Sequence, residues 1–570
     1  MRRGIRSLTG AGTVLALAAT LTVGALDGGA ATVASQAREY LVFYADGAHD
    51  RAIDAIDASG GTALSTETRL GYIVAGGPGS RFVEDLADSD AVVGVSSDRR
   101  IGSATALPVT GAPALPATGA PAALPPSDAL GQRGTPDGRA SATGASEPLA
   151  GQQWDMKMIG ATADGSHATA PGSKQVLVGV IDTGIDGRHP DIAPNFNYAL
   201  SRNFVTDRPK DPAGKTVDGP CEFKNCKDPV DWDDDGHGTH VAGTIASPVN
   251  GRGVAGVAPA VSLVNLRAGQ DSGLFFLKPS IEALTYAADA GIDVVNMSFY
   301  VDPWLFNCKA NPADSKAEQL EQRGVVTGMQ RALDYARKRG VTLISAIGNG
   351  STDLGRPSKD DTSPDYPKDV ERTRKIDNSC LNVPAESKGV ISVSAVGPSK
   401  RKAYYSDYGI EQADLSAPGG DEFDGGTGYD ITKGILAPAP ENALRAKGQL
   451  NADGTPKYKS IIRECRDDVC AYYQYLVGTS MAAPHATGVA AILISRFGKP
   501  DKSGLTMAPG EVQRLLYATA TEKACPSSRK YAYKIDLVAD EVHKCEGSKA
   551  RNGFYGRGIV DAAGAASVTR

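Results

Sequence analysis

The 570-residue chain has little net charge and few aromatic rings. Lys plus Arg number 60 against 66 Asp plus Glu, a formal charge of −6. That bias is too small to suit a nucleic-acid or anionic-membrane partner. Aromatics make up only 6% of the chain, while glycine reaches 66 residues. Such turn-rich composition fits an enzyme better than a helical bundle or coiled coil, and the lack of a strict glycine period excludes collagen. Beyond the N-terminal region no stretch reaches about 18 consecutive apolar residues, so no transmembrane helix is expected there. No C-x-x-C pair occurs, and no histidine stands at ligand spacing beside a cysteine, which argues against zinc.

What is present begins with Arg2, Arg3 and Arg6, a mostly apolar stretch at 13–26 and small residues at 28–37. This order predicts a secretory signal peptide over residues 1–37. Its apolar run is too short to span about 30 Å of hydrocarbon. Eight cysteines follow, an even number suited to an exported, oxidised protein. They admit about 105 pairings. The simplest expectation joins neighbours: Cys221–Cys226, Cys308–Cys380, Cys465–Cys470 and Cys525–Cys545.

Residues 38–103 read as a small α/β unit, with strands at 39–44, 71–74 and 92–97 and helices at 50–58 and 81–86. Residues 104–150 are rich in Ala, Pro, Gly, Ser and Thr and read as an extended linker. Residues 151–570 form a large domain. Short apolar runs at 176–181, 261–266, 294–297, 343–347 and 390–396 alternate with helical stretches at 279–290, 317–339 and after Ser480. The expected fold class is α/β: a mostly parallel central sheet flanked by helices, preceded by the small α/β unit.

Three segments carry chemistry. In VGVIDTG (178–184) a buried strand ends on Asp182, at the sheet edge where α/β sites form. In GHGTHVAGT (236–244) His237 opens a helix of small residues, with His240 expected to serve packing or to support the residues around His237. In GTSMAAPH (478–485) Ser480 sits at a helix N-terminus, which favours a developing anion. Taken singly, Asp182 is a turn former, His237 a helix-start histidine and Ser480 an ordinary N-cap. The Gly-x-Ser-x-Gly elbow is absent, since position 482 is Ala.

Together, in this order, the segments resemble the subtilisin-like serine proteases, from the strand before Asp182 to GRGIVDA at 556–562. The resemblance implies an Asp182–His237–Ser480 triad and an inhibitor propeptide at 38–103, cut somewhere between Gly102 and about Ala150. It also makes Asn349, in the Gly-Asn-Gly turn after a buried strand, a side-chain donor to the oxyanion. Ser298, Phe299 and Tyr300 occupy the place of the family's substrate-pairing Ser-Leu-Gly, with Tyr300 replacing glycine. Ile347 stands where the family usually has Ala. No cofactor is needed for the chemistry, and structural calcium stays open without a ligand set. The acidic stretch 231–236 is no EF-hand, because its twelfth position is Ala242. Insertions at about 206–230, 300–322, 350–380 and 421–472, each holding cysteine, read as surface loops modifying access or protease resistance. The expected function is a secreted, monomeric serine endopeptidase made as a zymogen. Its partners are a protein or peptide substrate and its own propeptide, with no nucleic acid and no membrane after signal removal. The alternatives are an exopeptidase of the same fold and a non-catalytic binding protein on a protease scaffold.

Overall fold

The computed structural model describes residues 38–97, 147–210, 216–367, 370–426, 428–501, 504–535 and 538–569. The expected signal peptide and all but the end of the expected linker lie outside the described residues.

Strand β1 (Arg38–Tyr44) is apolar on both faces, and both are covered. Helices α1 (His49–Ala58) and α2 (Ser80–Leu86) and strands β2 (Thr62–Glu67), β3 (Tyr72–Gly77) and β4 (Val92–Ser97) complete an antiparallel sheet of order β2-β3-β1-β4. On one face Tyr40, Val42, Ile73 and Ala75 form a core with Ile56, Phe82 and Leu86. On the other, Leu41, Phe43 and Tyr72 join the apolar cluster of the large domain, together with Val325 and Met329. Period-two alternation places successive side chains on opposite faces, so an unbroken apolar strand needs cover on both.

The large domain is built on a parallel sheet. Its seven strands are β5 (Leu177–Ile181), β6 (Arg202–Asn203), β7 (Ser262–Arg267), β8 (Val294–Met297), β9 (Thr342–Ala346), β12 (Ile391–Val396) and β13 (Leu415–Pro418), in the order β13-β12-β9-β8-β5-β7-β6. Between β9 and β12 lies a small ribbon of β10 (Lys359–Asp360) and β11 (Arg374–Lys375). The strand order reverses at β5, which opens a crevice beyond the strands' C-terminal ends. After the short helices α3 (Trp154–Ile159) and α4 (Ser166–Thr169) come α5 (His237–Ala246), α6 (Leu277–Ala290) and α7 (Lys316–Lys338). Helices α6 and α7 pack together on one sheet face, and β1 and β4 of the small unit lie against α7. Helix α9 (Thr479–Phe497) runs through the other face against β8, β9, β12 and β13, beside α5. It is buried almost throughout.

The segment at 421–472, expected as a surface loop, is only partly one. It supplies β14 (Ile435–Ala439), α8 (Glu441–Ala446), β15 (Ile461–Arg466) and the start of β16 (Val469–Leu476), in a sheet of order β14-β16-β15. Strand β14 is buried along its length and packs on α5. Beyond α9 follow the short pair β17 (Lys499–Pro500) and β18 (Leu505–Thr506), α10 (Pro509–Thr519), the hairpin β19 (Lys530–Ile535) and β20 (Val538–Lys544), and α11 (Ala562–Ser567). The four disulfides join neighbouring cysteines. No helix among the described residues is long and apolar enough to cross a membrane.

Candidate active site

Asp182 leaves the end of β5 and is fully buried. Its Oδ1 accepts from the Thr183 N–H at 2.8 Å and lies 2.7 Å from His237 Nδ1. That contact suits a neutral ring that carries its proton on Nδ1 and donates it to the carboxylate, with Nε2 then unprotonated. Burial pushes the Asp182 carboxyl up, opposed by His237. Burial alone would lower His237, but Asp182, helped by Asp235 and Asp233, raises it overall.

The start of α5 is organised by Asp233, which sequence reasoning left within an unassigned acidic stretch. This fully buried carboxylate accepts from Thr183 Oγ1 at 3.1 Å, the Gly236 N–H at 2.8 Å and the Asp235 N–H at 3.2 Å on one oxygen. On the other it accepts from the Thr239 N–H at 3.0 Å and Thr239 Oγ1 at 2.6 Å. It thereby caps the helix and ties His237 to the residue following Asp182. The signal available was an acid four residues ahead of the small-residue helix. Gly238 allows this closeness: a Cβ there would stand 2.1 Å from the Gly184 carbonyl oxygen. His240 is buried in α5, its Nε2 lying 3.0 Å from the Ile435 and Gln474 carbonyls.

Ser480 is half-buried in the first turn of α9. Its Oγ donates to the Ser298 carbonyl at 3.3 Å, while Ser298 Oγ donates to the Ser480 carbonyl at 3.0 Å. Asn296 Nδ2 supports Ser298 Oγ at 2.9 Å, and Thr487 Oγ1 donates to Asn296 Oδ1 at 2.9 Å. The structure thus joins Asp182 to His237, and Ser480 to Ser298, but no hydrogen bond links Ser480 to His237.

Asn349 follows β9 and is exposed. Its Oδ1 accepts from the Thr479 N–H and Thr479 Oγ1, both at 2.9 Å. A backbone N–H is an obligate donor, so the carboxamide oxygen must face Thr479, and Nδ2 is presented beside Gly478 as a donor. The Ser480 N–H, in the helix's first turn, has no intrahelical acceptor by position.

Phe299 is nearly buried and stacks on Phe275, ring centroids 4.3 Å apart. Tyr300 is half-buried, and its phenol donates to Asp365 Oδ2 at 2.5 Å. Burial, with Asp365 and Asp302 adjacent, holds that phenol protonated. The ring therefore ties the 350–380 insertion to the segment after β8. Ile347 is fully buried in a small cluster with Phe306 and the Cys308–Cys380 disulfide. Among the described residues one group of carboxylates is close enough to hold a cation: Asp207, Asp228 and Asp271. The buried Arg267 guanidinium pairs with all three.

Comparison with known proteins agrees with this architecture. The subtilase family profile matches residues 173–557. Subtilisin DY of Bacillus licheniformis is 26% identical over 361 residues, 63% of this chain and 88% of that protein. The nisin leader peptide-processing serine protease of Lactococcus lactis subsp. lactis is 27% identical over 376 residues, 65% of this chain but only 46% of that protein. Among solved structures, the epidermin leader peptide processing serine protease of Staphylococcus aureus superposes with a TM-score of 0.57 at 20% identity, covering 94% of this chain and 99% of that one. Fervidolysin of Fervidobacterium pennivorans gives 0.53 at 21% identity, covering 96% and 62%. These last two likenesses concern the fold. With two-thirds of its length under one family profile and the matching parallel sheet, the chain belongs to the subtilase family of serine proteases.

Proposed function

We propose that the protein is a secreted serine endopeptidase made as a zymogen, acting through Asp182, His237 and Ser480. The observation that carries this reading is the 2.7 Å contact of His237 Nδ1 with a buried carboxylate, which leaves Nε2 as the base. A serine hydroxyl is a weak nucleophile and needs an adjacent base. In this reading Ser480 Oγ leaves the Ser298 carbonyl and meets His237 Nε2. Nε2 then takes the proton as Oγ attacks the scissile carbonyl, and later passes it to the leaving amine. Asp182 orients the ring and stabilises the imidazolium without itself taking the proton. Asn349 Nδ2 and the Ser480 N–H meet the tetrahedral oxyanion. Water then hydrolyses the acyl-enzyme. Ser298, Phe299 and Tyr300 offer main-chain groups to an extended substrate, and backbone pairing gives affinity without sequence preference.

The unit at 38–103 is the inhibitor propeptide in this reading, supported by its docking on α7. Residues 1–37 direct export, the linker 104–150 holds the cleavage point, and 151–570 is the peptidase domain, which works as a monomer without a cofactor. Four disulfides support an oxidising compartment. The test is Ser480→Ala. Peptide hydrolysis should vanish, since loss of the serine in subtilisin costs about 2 × 10⁶ in turnover. A fluorophosphonate probe should label wild type at Ser480 alone. Wild-type rates in the variant would overturn the assignment.

A further inference from the structure

We propose that Asp407 is a positioning residue for the oxyanion donor, holding the turn that presents Asn349 from beneath. The inference rests on the catalytic reading above. Asp407 lies just before the segment that runs beside residues 351–354, and it is almost fully buried. Its N–H donates to the Gly348 carbonyl at 2.9 Å, and its Oδ1 accepts from the Thr352 N–H at 2.7 Å. The Gly350 N–H also faces the carboxylate. Asp407 thus holds both flanks of Asn349, the preceding one through its main-chain N–H and the following one through its carboxylate. The fit is close: a Cβ on Gly348 would stand 2.2 Å from Asp407 Oδ2, and Gly348 adopts φ +121°. The Gly348 N–H donates in turn to Thr479 Oγ1 at 3.2 Å, the hydroxyl that orients the Asn349 amide. The turn is therefore held between the first turn of α9 and the Asp407 carboxylate.

A fully buried carboxylate needs a counter-charge. Lys402 supplies it. Its ammonium is fully buried and donates to the Ala403 and Ser406 carbonyls at 2.8 and 2.6 Å. It also lies 5.0, 5.6 and 5.7 Å from the ring centroids of Tyr408, Tyr533 and Phe554. Burial pushes Asp407 up to about 7, opposed by the Thr352 N–H and Lys402. Burial likewise lowers Lys402 to about 7, opposed by Asp407, Asp421 and Glu541, with Arg401 acting against the ammonium.

The consequence is kinetic. A displacement of about 1 Å at a reacting centre can cost up to about 10²-fold, and loss of an oxyanion donor costs about 10²–10³-fold. Asp407→Ala should lower kcat by about 10- to 100-fold with KM changed less than about twofold. In an Asn349→Ala background the same substitution should lower kcat by less than about threefold, because the amide it positions is gone. Asp407→Asn keeps an acceptor for the Thr352 N–H and should recover part of the loss. It is also the variant to measure if Asp407→Ala does not fold. Equal losses from the Asp407 substitution in both backgrounds, or an unchanged kcat, would overturn the proposal. Fluorophosphonate labelling of Ser480 in every variant keeps the two readings apart. Labelling that persists while the coupling is absent removes the role of Asp407 alone. Absence of labelling in wild type removes the catalytic reading itself.

Discussion

The contact between the small N-terminal unit and helix α7 rests on the absence of two side chains. A Cβ on Gly94 would lie 2.5 Å from both the Cα and N of Gly324, and one on Gly324 would lie 2.5 Å from the Val95 carbonyl oxygen. Non-bonded carbon atoms settle at about 3.5–4.0 Å, so either methyl forces β4 and α7 apart by about 1 Å. Backbone stands on both sides of the gap, and no side chain can rotate out of the way. Overpacking of this kind costs about 1–3 kcal/mol, equivalent to about 5- to 150-fold in the docking equilibrium. The assay is hydrogen–deuterium exchange on the full-length Ser480→Ala chain. Gly94→Ala and Gly324→Ala should each speed exchange in β4 and along α7 by that factor, while β5 and β9, deep in the parallel sheet, keep their protection. Arg331→Ala attacks the same interface independently, because its guanidinium bonds the Tyr44, Leu70 and Gly71 carbonyls at 2.8–3.1 Å. Unchanged exchange in β4 and α7 for both glycine variants would refute the reasoning, since a contact this close cannot absorb a methyl silently.

Further outcomes concern His237, a buried carboxylate beside it and the disulfides. His237 is raised above its ordinary value of 6.5, and the base must be neutral, so activity should fall as pH drops through a midpoint above 6.5. Asp235→Asn removes a charge that raises His237, and a pH–rate profile should show that limb moved to lower pH. Asp233→Ala strands donors from Thr183, Asp235, Gly236 and Thr239 and should cost about 3–5 kcal/mol in a denaturant titration. Replacing Cys308 and Cys380 by serine opens a cross-link spanning 72 residues and should cost about 2–5 kcal/mol. The Cys221–Cys226 link spans 5 residues, and its removal should move the melting temperature less.

Much of this arrangement is legible in the chain because the key side chains sit in strict local patterns. VGVIDTG announces a buried strand ending in a carboxylate, and GTSMAAP a serine at a helix start. Helix α7 ends within one residue of the expected 317–339 stretch at either end, because its apolar period is regular and the Ser315–Glu318 capping box marks its start. The run EYLVFY reads as a strand, but the cover on its second face comes from residues far along the chain and left no local sign. Other features left no local trace. Asp233 is hidden among neighbouring acids of different fates. Strand β14, with Pro438 inside it, matches no strand pattern and is fixed by pairing with β16. Asp407 meets Thr352 from 55 residues away, and spacing alone cannot forecast that meeting.

The reciprocal bonds between Ser298 and Ser480 join residues 182 positions apart. Ser480 lies at the start of α9, so most of the peptidase is synthesised before its proposed nucleophile exists. In the proposed mechanism a fragment that ends before Ser480 holds Asp182 and His237 without the attacking hydroxyl and cleaves nothing.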